Sequence, residues 1–151
     1  MKDKFQDKVG IKGKLHIELR DKDGKLKDER LIENTVTALG DAFVADCVCG
    51  GAAAYMSWMA IGTGTPSATA LGVELDRNAV TSTTQGTGAD DNDAIYVGDW
   101  AAGDGTGAIT EAGLFNQATI GGTMFVSSSF SVINKGATDT LSVTWTVSCG
   151  A

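Results

Sequence analysis

The sequence has a single histidine and a single proline among its 151 residues, and it has no long apolar run. The longest mostly apolar stretch, GAAAYMSWMAIG, is far shorter than the ~20 residues that a membrane-spanning helix requires. The opening, MKDKFQDKVGIKGK, has no apolar segment of the kind that a secretory signal needs. We therefore expect no membrane partner and synthesis in the cytoplasm.

The single histidine, His16, also limits the chemistry that the protein can perform. Ser–His–Asp and Cys–His sites each need an imidazole as base. His16 lies in a loosely alternating stretch, VGIKGKLHIELR, without a local partner, so a surface or packing role is the better interpretation. The clusters GTGTP and GDGTGA lack the GK[ST] ending of a phosphate loop, and no pair of carboxylates stands out for glycoside hydrolysis. The sequence predicts no enzyme and no cofactor.

Three cysteines cannot all pair within one polypeptide. Free thiols are the expected state in a reducing cytoplasm, and burial is a further alternative for Cys149, which lies on the apolar side of its strand. The other hypothesis is an intermolecular disulfide formed after release from the cell, with Cys47, Cys49 and Cys149 as candidates. Cys47, Cys49 and His16 do not have the spacing of zinc ligands, so we expect no zinc centre.

One acidic stretch, ADDND at 89–93, is a weak candidate for calcium. Asp90, Asp91 and Asp93 place three carboxylates close together in the sequence, and hard cations prefer such oxygen ligands. The order of acids, the glycine and the distal glutamate of an EF-hand loop are missing. A solvated acidic turn is the alternative, and no other metal site is predicted.

Charge is divided unevenly along the sequence. Residues 1–30 hold ten of the twelve Lys and Arg against seven Asp and Glu, a net +3, whereas residues 31–151 hold two against twelve, a net −10. So acidic a body repels polyphosphate, which argues against nucleic acid as a partner. The basic segment is either a solvated hairpin or a contact for an acidic protein. The candidate partner-binding residues are Lys8, Lys12, Lys14, Arg20, Lys25, Lys27 and Arg30.

The alternation of side chains predicts a mainly β protein. In the final stretch, TLSVTWTVSC, apolar residues alternate with hydroxyls, as in a strand with one buried face. Asp23-Gly24 is a hairpin turn signal, and one helix is predicted over residues 35–48, capped by Asn34 or Thr35. Gly-rich turns separate the remaining short apolar segments. The predicted fold is a β-sandwich or jelly-roll-like domain with an N-terminal β-hairpin arm and one short helix.

The sequence divides into two predicted parts. Residues 1–33 form the basic hairpin arm, and residues 34–151 form the β-sandwich domain with its leading helix. Aromatic residues in such a domain are usually core, but they could instead line a sugar-binding groove. The residues concerned are Trp58, Trp100, Trp145, Tyr55 and Tyr96.

Five stretches carry a family resemblance: MAIGTGT (59–65), TALGVELDR (69–77), ITEAGLFN (109–116), GGTMF (121–125) and INKGATDTLSVTWTV (133–147). In this order and spacing they resemble a family of small structural proteins of tailed bacteriophages. Its members are regarded as capsid decoration (cement) proteins or as tail and fibre components. The resemblance spans residues 56–147. Residues 1–50 carry less of the pattern, and the Cys47–Cys49 pair departs from it.

The resemblance implies a non-enzymatic virion protein. The first interpretation is a capsid decoration protein that binds the major capsid protein or other virion proteins as a homo-oligomer, a trimer, and stabilises the shell. The alternative is a tail, neck or fibre-associated protein that touches host glycan. The resemblance also makes its motif residues structural, in turns or at close backbone approaches: Gly62, Gly64, Gly113, Gly121, Gly122, Asn134, Lys135 and Gly136.

Overall fold

The computed structural model describes residues 10–150. In this range the protein is mainly β, with two antiparallel five-stranded sheets and one α-helix. The strands are β1 (Ile11–Arg20), β2 (Leu26–Glu33), β3 (Thr35–Val36), β4 (Trp58–Gly62), β5 (Glu74–Ala79), β6 (Ser82–Gln85), β7 (Asp93–Trp100), β8 (Gly107–Phe115), β9 (Met124–Lys135) and β10 (Thr140–Cys149). The helix α1 spans Ala38–Val48, and Gly88–Asp90 forms one 3₁₀ turn. Sheet A has the strand order β2-β1-β10-β7-β6, and sheet B the order β3-β9-β8-β4-β5.

The final strand, β10, follows the alternation in its sequence. Its side chains Leu141, Val143, Trp145 and Val147 are buried, whereas the hydroxyl-bearing residues between them are half-buried. The buried row joins side chains from both sheets in one hydrophobic cluster. Strands whose alternate residues enter such a cluster are held in register, because a slip of one residue would expose the whole row.

The N-terminal hairpin is part of sheet A. Gly24 adopts a φ of 79° in the turn between β1 and β2, as the Asp-Gly signal predicted. β1 also pairs with β10 along all ten of its residues, and Leu15, Ile17 and Leu19 are buried in the main cluster. Thus the segment interpreted as an arm, up to residue 33, supplies an internal strand of the sheet and part of the core.

The helix begins later than the sequence indicated. Thr35–Val36 is a short strand paired with β9, so neither Asn34 nor Thr35 is the N-cap. The N-cap is Thr37, whose Oγ1 accepts a hydrogen bond from the Gly40 N–H at 2.9 Å. Backbone pairing with β9 outweighs the local apolar period that placed Val36 in the helix.

The strands β8 and β9 pair as a hairpin at the centre of sheet B. The strand β9 runs through Asn134 and Lys135. These two residues therefore lie in the strand, and the turn to β10 begins at Gly136. The backbone carbonyl of Gly136 accepts a hydrogen bond from the Asp139 N–H at 3.1 Å.

Candidate interaction surface

The side of sheet A that faces away from the core, here called the outer face, carries side chains in rows across the strands. The central row contains Leu31, His16, Thr144, Val97 and Ser82, one from each strand in sheet order. All five are at least partly exposed, and Leu31 is 73 % exposed. Ser and Thr suit an exposed strand face without making it strongly adhesive. The outer face is therefore a shallow, mostly polar surface with one prominent apolar residue at its edge.

The strand β2 is an open edge of sheet A. Among the residues that the structure describes, β2 pairs with β1 on one side and with no strand on the other. The opposite edge, β6, has only four residues, all of them exposed, whereas β2 has eight. An edge strand presents unpaired backbone N–H and C=O groups to which another polypeptide can add. Within the described range, β2 is the longer edge of this sheet.

The basic residues predicted to bind a partner have different positions. Lys12 and Lys14 are exposed on the outer face of β1. Arg20, on the same face, donates hydrogen bonds to Glu18 at 2.9 Å and to the C=O of Gly24 at 3.1 Å. Lys12 and Lys14 are thus the pair best placed to meet a partner.

The remaining basic candidates differ in how far they are engaged by other residues. Lys25 lies exposed in the β1–β2 turn. Arg30 forms an ion pair with Asp28, 2.6 Å between Nη1 and Oδ1. Lys27 lies beside a bulge, where the β1–β2 register shifts, and its Nζ is 2.5 Å from Asp139 Oδ2. A β-bulge changes the direction in which nearby side chains point, which is consistent with the contact between Lys27 and Asp139. Lys8 lies outside the described residues.

A buried lysine secures the turn beside this edge. Lys135 is 2 % exposed, and its Nζ donates to the C=O groups of Ala101 at 2.9 Å and Asp139 at 2.8 Å. Burial lowers the pKa of the Lys135 amine, and the nearby Asp139 carboxylate opposes that shift. The pKa of Asp139 is itself lowered, chiefly by the hydrogen bond from Lys27 and then by the N–H of Gly136. Lys27 therefore ties the edge strand β2 to the β9–β10 turn.

Replacing Asp139 by asparagine should reduce the pH dependence of stability. The folded-state pKa of Asp139 lies below its ordinary value of 3.8, so its contribution is present above that value and is lost as pH falls through the folded pKa. We expect Asp139→Asn to lower the free energy of unfolding more at about pH 7 than at about pH 3. Urea unfolding measures this, with exposed Asp99→Asn as the control. Equal losses at both pH values for Asp139→Asn would contradict the prediction.

A buried glutamate fastens a long loop to sheet B. Glu111 on β8 is 0 % exposed. Its Oε1 accepts from the N–H groups of Gly64 at 2.9 Å and Val73 at 2.8 Å, and its Oε2 from that of Gly72 at 2.8 Å. A Cβ on Gly64 would lie 2.6 Å from the Val73 nitrogen, so the loop has room only for glycine there. The carboxylate thus supplies hydrogen-bond acceptors to backbone N–H groups that would otherwise have none.

A second loop is held by Arg77 on β5. Its guanidinium lies 3.8 Å above the ring of Phe115 and forms an ion pair of 2.6 Å with Glu74. It also donates to the C=O groups of Gln117 and Thr119, both at 2.9 Å. The planar guanidinium can satisfy ring, carboxylate and carbonyls at once, which an ammonium cannot.

The three aspartates proposed for calcium do not converge. Asp90 ends the 3₁₀ turn, and the C=O groups of Asp91 and Asp93 accept from the Gln85 amide and the Gly86 N–H. Among residues 10–150, the cluster of three or more metal-ligating side chains that does form is elsewhere and contains His16. The structure thus gives no support to calcium binding at this stretch, which stays a prediction.

All three cysteines are free thiols and exposed, so burial of Cys149 is the wrong alternative. Cys149 is the last residue of the strand β10 and is exposed there. The pKa of the Tyr96 hydroxyl is raised, mainly by burial and further by the proximity of Cys149 and Cys47. An intermolecular disulfide from Cys47, Cys49 or Cys149 stays a prediction.

The aromatic residues do not line an open groove. Trp100 and Trp145 are 0 % exposed, and Tyr96 is buried with them. Trp58 is partly buried against a small cluster on the outer side of sheet B. Tyr55 alone of the five is largely exposed. The core interpretation therefore holds for the two buried indoles.

Sequence reasoning missed the buried charges, Glu111, Lys135, Asp139 and Arg77. One signal was available for Glu111: in ITEAGLF it shares a strand side with Gly113 and Phe115, where solvent exposure is not expected. A charged residue on an apolar side predicts a buried partner. The others gave no local signal.

Within residues 10–150, no helix is long and apolar enough to cross a bilayer. Comparison with the models of known protein families, with curated proteins and with solved structures found no match to this protein.

Proposed function

We propose that the protein is a non-enzymatic structural component of a tailed-bacteriophage virion, a capsid decoration protein that binds the outer shell as a homo-oligomer. The five stretches that resemble that family support the class of protein. The observation that supports a binding role is the edge strand β2, which has no second partner strand within residues 10–150 and lies beside the polar outer face of sheet A. Both are surfaces through which another polypeptide can dock.

The two sheets, in this proposal, form a β-sandwich of the kind from which jelly-roll virion domains are built. Support comes from the hydrophobic cluster that takes side chains from both sheets. In addition, Glu111 and Lys135 tie loops to sheet B through hydrogen bonds with backbone groups. A rigid body presents its binding surface without a large entropic cost on association.

A trimer is the proposed assembly, with each copy contacting a neighbour or the major capsid protein. Cyclic symmetry repeats every contact, so modest affinity per copy is multiplied by avidity. We place the contact at the β2 edge, with Leu31 as apolar anchor and Lys12 and Lys14 meeting acidic groups. The acidic remainder of the sequence, net −10 over residues 31–151, offers such groups on a second copy.

Replacing Leu31 by aspartate should weaken binding to shells of the phage that encodes this protein by about tenfold or more, since interface energy concentrates in a few apolar anchors. Leu31 is 73 % exposed, so the fold should be little affected. Co-sedimentation with purified shells, with melting temperatures recorded in parallel, measures the effect. The matched control is Ile120→Asp, because Ile120 is 80 % exposed but lies away from β2, in the loop between β8 and β9.

Two outcomes would contradict the proposal. Wild-type affinity of the Leu31→Asp variant would exclude the β2 edge, and failure of the wild-type protein to bind shells would exclude the shell role. Deleting residues 2–30 is not an informative test, because β1 supplies Leu15, Ile17 and Leu19 to the core.

The alternative function is a tail, neck or fibre-associated protein. The glycan-binding groove expected for this alternative has no support from Trp100 and Trp145, because both are buried. A ring in the tail needs no such groove. The copy number per particle distinguishes a location on the shell from a location in the tail. A shell protein is present on the order of hundreds of copies per particle, and a tail ring in about six to eighteen.

A further inference from the structure

Three potential metal ligands converge on the outer face of sheet A. His16 and Glu18 are two residues apart on β1 and so lie on the same side of the strand. Glu29 on β2 is directly opposite Glu18 in the register. His16 Nε2 is 2.8 Å from Glu29 Oε1, and one ligand atom from each of the three residues lies within 4.8 Å of the others.

The pairing of Glu18 with Glu29 is unfavourable by itself. Like charges directly opposite each other on neighbouring strands repel. In the structure Glu18 accepts from Arg20 at 2.9 Å and Glu29 from His16 at 2.8 Å. The His16–Glu29 contact is exposed and the Arg20–Glu18 contact is only partly buried, and ion pairs so close to solvent contribute little to stability. A cation between the two carboxylates would remove the repulsion more directly than either contact does.

We propose that His16, Glu18 and Glu29 bind a divalent first-row transition-metal ion such as Zn²⁺. One imidazole nitrogen and two carboxylate oxygens form a donor set that suits such ions. Calcium and magnesium prefer ligands that are all oxygen, and more of them. The site is independent of the proposed virion role.

The geometry needs only the rotation of side chains. A tetrahedral zinc ion with bonds of about 2.0–2.1 Å places its ligand atoms about 3.3 Å apart. The His16–Glu29 pair is already closer than that, so the adjustment falls mainly on Glu18. The side chains of His16, Glu18 and Glu29 are 37 %, 30 % and 52 % exposed, which leaves their rotamers free to change. The paired strands meanwhile fix the backbone beneath them.

The remaining coordination position is open. The surface depression that His16 and Glu29 line also includes Leu31, Thr144 and Thr146, and it faces away from the core. A water molecule or a ligand group from another molecule can therefore complete the site, as in zinc sites with three protein ligands.

Calorimetric titration of the untagged protein with Zn²⁺ tests the proposal, and Co²⁺ absorption spectra report the coordination geometry. The exposed thiols also bind these metals, so every variant carries Cys47→Ser, Cys49→Ser and Cys149→Ser. We expect one ion per protein molecule, and a loss of affinity of about tenfold or more in His16→Gln and in Glu29→Gln.

The matched control is Glu33→Gln, because Glu33 lies on the same strand and side as Glu29 but opposite Lys14. It should bind Zn²⁺ like the cysteine-free parent. The proposal is overturned if that parent shows no saturable binding up to about 1 mM Zn²⁺. It is also overturned if His16→Gln binds like the parent, or if Glu33→Gln loses as much affinity as Glu29→Gln. Circular dichroism of each metal-free variant verifies that all are folded.

Discussion

Glu111→Gln lowers the free energy of unfolding by about 3 kcal/mol or more, because hydrogen bonds to a charged acceptor contribute about 1.5–3 kcal/mol each. The Glu111 carboxylate offers two oxygens to three backbone N–H groups, whereas an amide offers one. In the variant, the side-chain NH₂ group therefore faces either the N–H of Gly72 or the N–H groups of Gly64 and Val73, so that donor meets donor. Urea unfolding measures the loss.

The control for this variant is Glu33→Gln, since Glu33 is exposed on β2 and its replacement should change stability by no more than about 0.5 kcal/mol. Amide hydrogen exchange gives a second, local readout. Exchange at Gly64, Gly72 and Val73 should accelerate in Glu111→Gln, because the loop that these residues belong to is released. A stability loss no larger than that of the control, with unchanged exchange, would show that Glu111 does not hold the loop.

Trp145→Ala lowers the free energy of unfolding by about 3–5 kcal/mol, the usual cost of emptying a buried aromatic site. Trp145 is 0 % exposed and lies between Leu15 and Tyr96 on the neighbouring strands. Chemical denaturation measures the change. Thr146→Ala, at the adjacent half-buried position on the outer face, should have a small effect. A loss of less than about 1 kcal/mol for Trp145→Ala would contradict the assigned core position.

A comparison of two phenylalanine variants separates packing from hydrogen bonding at this site. The indole N–H of Trp145 donates to Asn34 Oδ1 at 3.0 Å, whereas that of Trp100 is buried with no acceptor among the described residues. Trp145→Phe and Trp100→Phe remove the same volume, but only the first breaks a hydrogen bond. The loss in Trp145→Phe should therefore exceed that in Trp100→Phe by about 1 kcal/mol. Equal losses would mean that the Asn34 contact contributes nothing.

The local pattern of the sequence was enough to predict the mainly β architecture, the first hairpin and the last strand. From Thr140 to Ser148 the burial of a residue alternates with its position, so this part of β10 predicts which of its own residues are buried, and the terminal Cys149 departs from the alternation. The turn at Asp23-Gly24 likewise depends on two adjacent residues. Such features are encoded within a few residues, and a single sequence reveals them.

Features that depend on distant partners could not be predicted in this way. Glu111 is buried because Gly64, Gly72 and Val73 come to it from 38 to 47 residues earlier in the sequence. The helix begins only at Ala38, with Thr37 as its N-cap, because Thr35–Val36 pairs with β9. The cluster of His16, Glu18 and Glu29 needs the β1–β2 register, which a shift between Leu19 and Arg20 alters locally. Tertiary pairing decided each case.

The pairing of β1 with β10 determines when sheet A can form during synthesis. Their paired residues, such as Leu15 and Trp145, are far apart in the sequence. Pairing over such distances is slow because a large loop has to close first. Before β10 has been synthesised, the apolar side of the first hairpin is uncovered. A polypeptide in this state is prone to aggregation and is a target for chaperones. Sheet A can therefore be completed only in a copy that has been translated through β10.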